Sequence, residues 1–460
     1  MHHRLHRLHR LHRFTVSMAA ITSALLIVAC AKDSPAPTTA AVAADVTKVN
    51  HVVVIYLENR GFDNTYGEFP GAEGLAASTA APKQISATGA VYATLPQVNG
   101  QPYPTTLPNT PFDIALYNPP TIPTRDLVHR YYQEQVQIDG GKMDKFVQVS
   151  DAQGLAMGYY HTSILPLAAE AAKYTLCDHF FHSAFGGSFL NHQFFIAAAV
   201  PTFPNAPASV VAVLDGSGNV VTDGFVTPDG YAVNTSYTVN TPHPASAVTA
   251  QLVPNQTNPT IGDRLNDANV NWAWYSGGWN AAVAGNPDPL FQYHHQPFAY
   301  YAKYADGTPG RAAHLKDETD FLAAAAAGTL PAVSFVKPLG ANNEHPGYAD
   351  VMTGENHTLQ LINAVRNGPN WNDSVIIITY DENGGFWDHV APPVKDKWGP
   401  GSRVPTIIIS PFAKKGFVNQ TSLETLSIIK FIETRWKLPA LGTRDAGAGD
   451  LLSAFDFTQK

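Results

Sequence analysis

The sequence predicts an α/β protein, a three-layer sandwich built on a mostly parallel central sheet. Two β-branched runs without polar alternation, "HVVVIYL" (51–57) and "SVIIITY" (374–380), read as central strands covered on both faces. Two less continuous runs, "AVSFVKP" (332–338) and "VPTIIIS" (404–410), read as further central parallel strands. Helical patterns fall between them at 163–175, 320–328, 357–368 and 422–436. Strands alternating with helices are the signature of this architecture.

The N-terminus is set apart. "MHHRLHRLHRLHR" supplies four arginines, and a 16-residue stretch without charge, Phe14 to Ala29, runs up to Cys30. A positive segment followed by an apolar one too short for a membrane span predicts a bacterial export signal over 1–29. Ile27-Val28-Ala29-Cys30 resembles a lipobox, which predicts lipid attachment at Cys30 and a flexible tether over 30–47. The expected location is therefore outside the cytoplasm: anchored in the periplasm or outer membrane, or secreted. The rest, 48–460, is expected to be one globular domain. Within it, about 201–259 is rich in Val, Thr, Asn, Gly and Pro and reads as an insertion with some β structure. Cys177 is the one cysteine beyond Cys30, so no disulfide framework exists within the domain and a buried apolar role is expected.

Removing residues 1–29 takes away four arginines and no acid, leaving 25 basic and 37 acidic residues, a formal charge of −12. Such a chain lacks the basic footprint that nucleic acid requires. A small phosphorylated partner stays compatible, provided a metal or a cluster of donors supplies positive charge.

Acidic residues stand where two predicted strands end. Glu58 and Asn59 follow the first strand, and Asp381 and Glu382 follow "SVIIITY". Ligands of open α/β sheets bind at that carboxyl edge. Three carboxylates and an amide there form a hard-oxygen site for one divalent cation, Ca²⁺, Mg²⁺ or Mn²⁺ rather than Zn²⁺. Either pair alone is equally consistent with a helix cap and a solvated turn; two pairs on two strands favour the metal. In "FGGSFLNHQFF", Ser188 follows two glycines and opens an apolar helix, where free amides favour an anion. Beside a metal its hydroxyl could attack phosphorus, with Asn191 one turn on donating to the same oxygens. Thirteen histidines lie beyond the signal. His294-His295 suits a second metal site or a phosphate clamp.

"ENRGFDNTYG", "GGKMDKF", "GGSFLNH", "HHQPFAYY", "NEHPGY", "YDENGGFWDHVAPP" and "GSRVPTIIISPFAKKGFV" follow one another here. Their order resembles that of the bacterial phosphoesterase family, which contains phosphatidylcholine-type phospholipases C and acid phosphatases of intracellular pathogens. The resemblance spans about Val49 to Trp436 and implies an alkaline phosphatase-like fold with a single catalytic domain. It implies that Glu58, Asn59, Asp381 and Glu382 hold the metal and that Ser188 is the nucleophile and touches it. It places His129, His294, His295 and His345 around the phosphate, one of them protonating the leaving group. Asp388 and His389 match a recurrent pair whose expected role is support of the site.

Within that family the serine nucleophile in "GGSFLNH", the "HHQPFAYY" pair and the lack of room after Trp436 for a C-terminal β-domain point toward acid phosphatase. Many phospholipase C members carry threonine in a "GPT-PNR" type block. The alternative is a phospholipase C cleaving phosphatidylcholine-like lipids, whose substrate is a phospholipid head group. A third reading is a lipid-anchored binding protein that has lost turnover, and a fourth is a zinc hydrolase ligated by the histidines. Protonated histidines, with an ordinary pKa of about 6.5, predict an acidic optimum.

Overall fold

The runs at 51–57 and 374–380 are neighbouring strands at the centre of one sheet. In the computed structural model, which describes residues 45–459, this sheet has eight strands: β1 (His51–Leu57), β2 (Thr175–Cys177), β3 (Trp272–Ser276), β4 (Leu315–Asp317), β5 (Val333–Lys337), β6 (Ser374–Tyr380), β7 (Thr406–Ile409) and β8 (Phe417–Asn419). Their spatial order is β4-β3-β5-β1-β6-β7-β2-β8. The first five are mutually parallel. β7 is antiparallel to both β6 and β2, which corrects the expectation of a parallel strand there. The reason lies in its connection: no crossover helix intervenes between 380 and 406, so the chain re-enters the sheet from the edge it left.

Val52 through Leu57 and Val375 through Ile377 are fully buried, as both-face coverage requires. The two faces are told apart by successive side chains, which point in opposite directions along a strand. Trp274 stacks on Phe335 at 5.4 Å and approaches Phe195 of α2 (Ser188–Ala197), while Tyr275 meets Phe321 of α3 (Glu318–Ala327) at 5.5 Å. Helices therefore cover both faces, making three layers. Three further helices are used below: α1 (Tyr131–Ile138), α4 (Val351–Arg366) and α5 (Thr425–Trp436). The helix expected over 163–175 is only Ala168–Lys173, since Thr175–Cys177 is drawn into the sheet as β2. Cys177 is free and buried there.

Residues 201–259 contribute short strand pairs, Val213–Leu214 with Val220–Thr222 and Tyr237–Thr238 with Leu252–Val253. The export signal, Cys30 and the tether up to residue 44 lie outside the described residues. Val46–Lys48 already forms a helical turn with Val46 buried. Among the described residues no helix is long and apolar enough to cross a membrane.

Candidate active site

The register of the sheet assembles the site. Leu57 pairs with Tyr380, so Glu58 and Asp381 leave adjacent parallel strands side by side. The Asn59 backbone N–H donates to Asp381 Oδ1 at 3.0 Å. Asn59 achieves this in the left-handed region, at φ 59°, which asparagine tolerates better than most residues. β5 flanks β1 on its other side and ends in Lys337, whose ammonium donates to Glu58 Oε1 and to the Leu57 carbonyl. Glu58, Asn59, Lys337, Asp381 and Glu382 are all fully buried.

Ser188 is the first residue of α2, capped by Gly187. Its hydroxyl donates to Glu58 Oε2 at 2.9 Å and lies 3.4 Å from Asn59 Oδ1. The Asn59 amide is thereby oriented: its NH₂ faces His129 Nε2 at 3.2 Å and His345 Nε2 at 3.1 Å. Each of those rings has Nδ1 against a backbone carbonyl, Leu127 for His129 and Pro346 for His345. An N–H at Nδ1 leaves the Nε2 lone pair to accept from Asn59, so one amide fixes both tautomers. Ser188, His129, His294, His295 and His345 share the lining of a cavity of about 480 Å³. Asn234 and Thr235, from the predicted insertion, line it too, as do Asp126 and Tyr348. Tyr348 stacks on His345 at 4.3 Å.

Asn191 is placed elsewhere. Its Oδ1 accepts from the Ala184 N–H and its NH₂ donates to the carbonyls of Gly186 and Gly187. The expectation that it binds substrate oxygens is corrected, because its amide is consumed in shaping the loop ahead of Ser188. Glu134 of α1 reinforces the same loop, accepting from the Gly186 N–H at 2.6 Å. Trp272, Trp274 and Trp279 belong to the core. Besides the cavity-lining Asp126, Asn234, Thr235 and Tyr348, two residues in contact with Glu58 or Ser188 escaped the sequence reading. Lys337 is one; the other is His192, one helical turn after Ser188, whose Nδ1 donates to the Ser188 carbonyl at 2.8 Å.

Burial pushes the Glu58 carboxyl up, but His295 and Lys337 outweigh it and hold it well below the usual carboxylate range. Asp381 is pushed well above that range by burial and by the charge of Glu58. Glu382 follows through burial and Asp381. Asp381 Oδ2 and Glu382 Oε1 are buried with no hydrogen-bond partner. Orphaned buried carboxylate oxygens are donors of the kind a hard divalent cation takes, but Glu58, Asp381 and Glu382 are not among the described groups whose donor atoms all lie within 4.8 Å of one another, so a cation held there would draw the three carboxylates together. Burial also depresses the histidines: His345 to about 4, and His294 and His295 below their ordinary value. The expected acidic optimum from histidines of ordinary pKa does not follow from this arrangement.

The Asp388–His389 pair anchors the loop that carries Asp381. Arg403 donates to Asp388 Oδ1 at 2.9 Å and to Asp63 Oδ1 at 3.1 Å, and His389 Nδ1 meets Asp63 Oδ2 at 2.6 Å. Arg403 also donates to the carbonyls of Glu73 and Asp178 and lies over the Phe62 ring. The network fastens the 381–389 loop to the helical turn Phe62–Thr65 that follows Glu58. Among the described residues, three groups of carboxylates and histidines come close enough to hold a cation: Glu58–His192–His295, Asp126–His129–His345 and Asp63–Asp388–His389.

The model of the phosphoesterase family matches residues 49–439. The chain belongs to the phosphoesterase family. This member is accordingly a hydrolase acting on phosphoric ester bonds. It is similar to phospholipase C A of Mycobacterium tuberculosis, 26% identical over 455 residues that cover 90% of this chain and 78% of the relative. A non-hemolytic phospholipase C of Pseudomonas aeruginosa is 26% identical over 459 residues, covering 89% of this chain and 57% of that protein. Among solved structures, a protein in the alkaline phosphatase superfamily from Vibrio parahaemolyticus is similar at 10% identity over 73% of each chain, with a TM-score of 0.35. The fold assignment rests on the sheet itself rather than on that score.

Proposed function

We propose that this phosphoesterase is a phospholipase C-type enzyme that cleaves the phosphodiester of a phospholipid on the diacylglycerol side, with Ser188 as the nucleophile. The observation that carries the reading is Ser188 Oγ, 2.9 Å from Glu58 Oε2, at a cavity of about 480 Å³ ringed by four histidines. Full-length relatives named phospholipase C support this substrate class over the phosphomonoesters of the acid phosphatase reading. The serine in "GGSFLNH" is the observation that keeps acid phosphatase as the second reading.

Glu58, Asn59, Asp381 and Glu382 would hold one divalent cation, with Ser188 beside it. When bound, such an ion lowers the pKa of a neighbouring hydroxyl and neutralises charge on the transferred phosphoryl group. Glu58 Oε2 accepts the Ser188 proton and orients its oxygen. The free amides at the start of α2 favour the phosphoryl oxygens. Oxygen attack on phosphorus expels the alcohol and leaves a phosphoserine ester, which water cleaves in a second step to restore Ser188. The departing alcohol would take a proton from one of the cavity histidines, and His129 or His345 could serve only by releasing the Asn59 amide from its Nε2. Positioning and charge neutralisation supply most of the rate in this chemistry.

The test compares p-nitrophenylphosphorylcholine with p-nitrophenyl phosphate from pH 4 to 8, for wild type and Ser188→Ala. Preference for the diester, lowered about a thousandfold or more in the variant, is expected. Preference for the monoester moves the assignment to acid phosphatase. Turnover that survives Ser188→Ala overturns the mechanism. No turnover by the wild type with either ester at saturating Ca²⁺, Mg²⁺ or Mn²⁺ returns the chain to the binding-protein reading.

A further inference from the structure

The face of Glu58 turned away from Ser188 is unlike the oxygen-lined one. Its Oε1 looks toward two imidazole nitrogens, His295 Nε2 at 3.0 Å and His192 Nε2 at 3.9 Å. The His192 N–H is committed at Nδ1 to the Ser188 carbonyl, which leaves the Nε2 lone pair directed at a carboxylate oxygen. Two lone pairs facing each other without a proton or cation between them repel. Neither His192 Nε2 nor His295 Nε2 has a hydrogen-bond partner; His295 reaches Oε1 in distance but not in alignment. His192 is fully buried and His295 4% exposed. The rings stack with centroids 5.0 Å apart and 6° between planes, and the Nε2 atom of each lies within 4 Å of Glu58 Oε1. The three donor atoms all lie within 4.8 Å of one another. Tetrahedral ligands at bonds of about 2.0 Å sit about 3.3 Å apart, so small side-chain adjustments close this triangle.

We infer that Glu58 Oε1, His192 Nε2 and His295 Nε2 form a second, nitrogen-rich cation site, selective for a borderline metal such as Zn²⁺, and that Lys337 regulates its occupancy. Imidazole nitrogens suit zinc, whereas the oxygen set on the other side of Glu58 suits calcium, magnesium or manganese. Lys337 donates to the very oxygen that would bridge the two sites. Its ammonium is a monovalent placeholder. Three buried carboxylates, Glu58, Asp381 and Glu382, against one lysine leave two negative charges, which a single divalent ion balances. A second divalent ion would leave two excess positive charges with Lys337 in place and one in a variant without it, so the lysine disfavours the second ion. The inference concerns metal uptake alone and does not depend on which ester is cleaved.

Cobalt reports the site, because Co²⁺ bound by nitrogen at low coordination number absorbs visibly and more strongly than hexa-aqua cobalt. Full-length protein is stripped with chelator, saturated with Ca²⁺ to fill the oxygen site, and titrated with Co²⁺. Lys337→Met is expected to gain one equivalent with that absorption, bound about tenfold or more tighter than in wild type because a nearby positive charge is gone. Zn²⁺ should bleach the band. Lys337→Met combined with His192→Gln should lack it. Absence of the band in folded Lys337→Met, or its persistence in the double variant, overturns the site. Equal cobalt affinity in wild type and Lys337→Met overturns the role of the lysine. Should Lys337→Met fail to fold, wild type against His192→Gln at higher cobalt decides the site: a weak band lost in the variant supports it, and no band or an unchanged one overturns it.

Discussion

Replacing Arg403 by methionine isolates the cost of breaking the network that anchors the Asp381 loop. The guanidinium is fully buried, and its carboxylate partners Asp63 and Asp388 are 2% and 0% exposed. Methionine fills much of the volume but leaves Asp388 without a cation and the Glu73 and Asp178 carbonyls without that donor. Removing one partner of a buried charged group costs about 3–5 kcal/mol. The upper part of that range is trimmed here, because Asp388, already pushed up by burial, can take a proton, and His389 still pairs with Asp63. Unfolding entropy of about 2.1 cal/mol/K per residue over the 415 described residues gives about 0.9 kcal/mol/K, so about 4 kcal/mol lowers Tm by about 4–5 °C. Thermal unfolding followed by circular dichroism reads this directly. The decisive variant is Arg403→Met with Asp388→Asn, in which the unpaired charge is gone and part of the loss should return. A shift below about 1 °C for Arg403→Met, or strict additivity in the double variant, would refute the argument that unpaired charge dominates the cost.

Glu355 of α4 gives a pH test away from the site. It is fully buried, accepts from the Leu167 N–H at 2.7 Å, and burial pushes its pKa to about 8. A raised folded pKa means its stabilising contribution is complete below the unfolded value near 4.5 and is lost as pH rises toward 8. Glu355→Gln should therefore flatten the fall in Tm between pH 5 and 8; parallel profiles would contradict this. Gly384 sits at φ +64°, and a Cβ there would lie 2.3 Å from the Asn59 carbonyl oxygen. Gly384→Ala is expected to lower kcat more than tenfold while Tm falls by only a few degrees, measured side by side. Stripping with chelator should abolish ester hydrolysis, and Ca²⁺, Mg²⁺ or Mn²⁺ should restore it better than Zn²⁺; recovery with zinc alone would favour the histidine-ligated reading.

The central strands were legible because both faces of β1 and β6 are covered, which writes an unbroken β-branched run into the chain. β3 was not, since "WAWYS" packs aromatic rings on both faces and reads equally as pocket lining. The direction of β7 is absent from its composition: it depends on where the preceding loop returns. At the site, carboxylates at strand ends and a serine at a helix start have local signatures. Lys337 does not, because its partner Glu58 is 279 residues away and a single cation closing an apolar run resembles a solvated strand end. His192 was hidden in the apolar face of α2, although its spacing of four from Ser188 is the signal that could have found it. Asn191 misled because position alone cannot say that a loop will claim an amide first.

The reversal at β7 has a consequence for how freely this protein can be rebuilt. The segment between β6 and β7 leaves and rejoins the sheet at one edge, and its middle, Val394 to Lys397, is exposed, Val394 completely. Its two roots are tied to each other by the ion pair of Asp388 and Arg403, which lie on opposite sides of that stretch. Lengthening such a segment adds chain entropy only logarithmically. Val394 is thus a natural place to graft a new surface loop or to open a circularly permuted chain without moving the strands that carry Glu58 and Asp381.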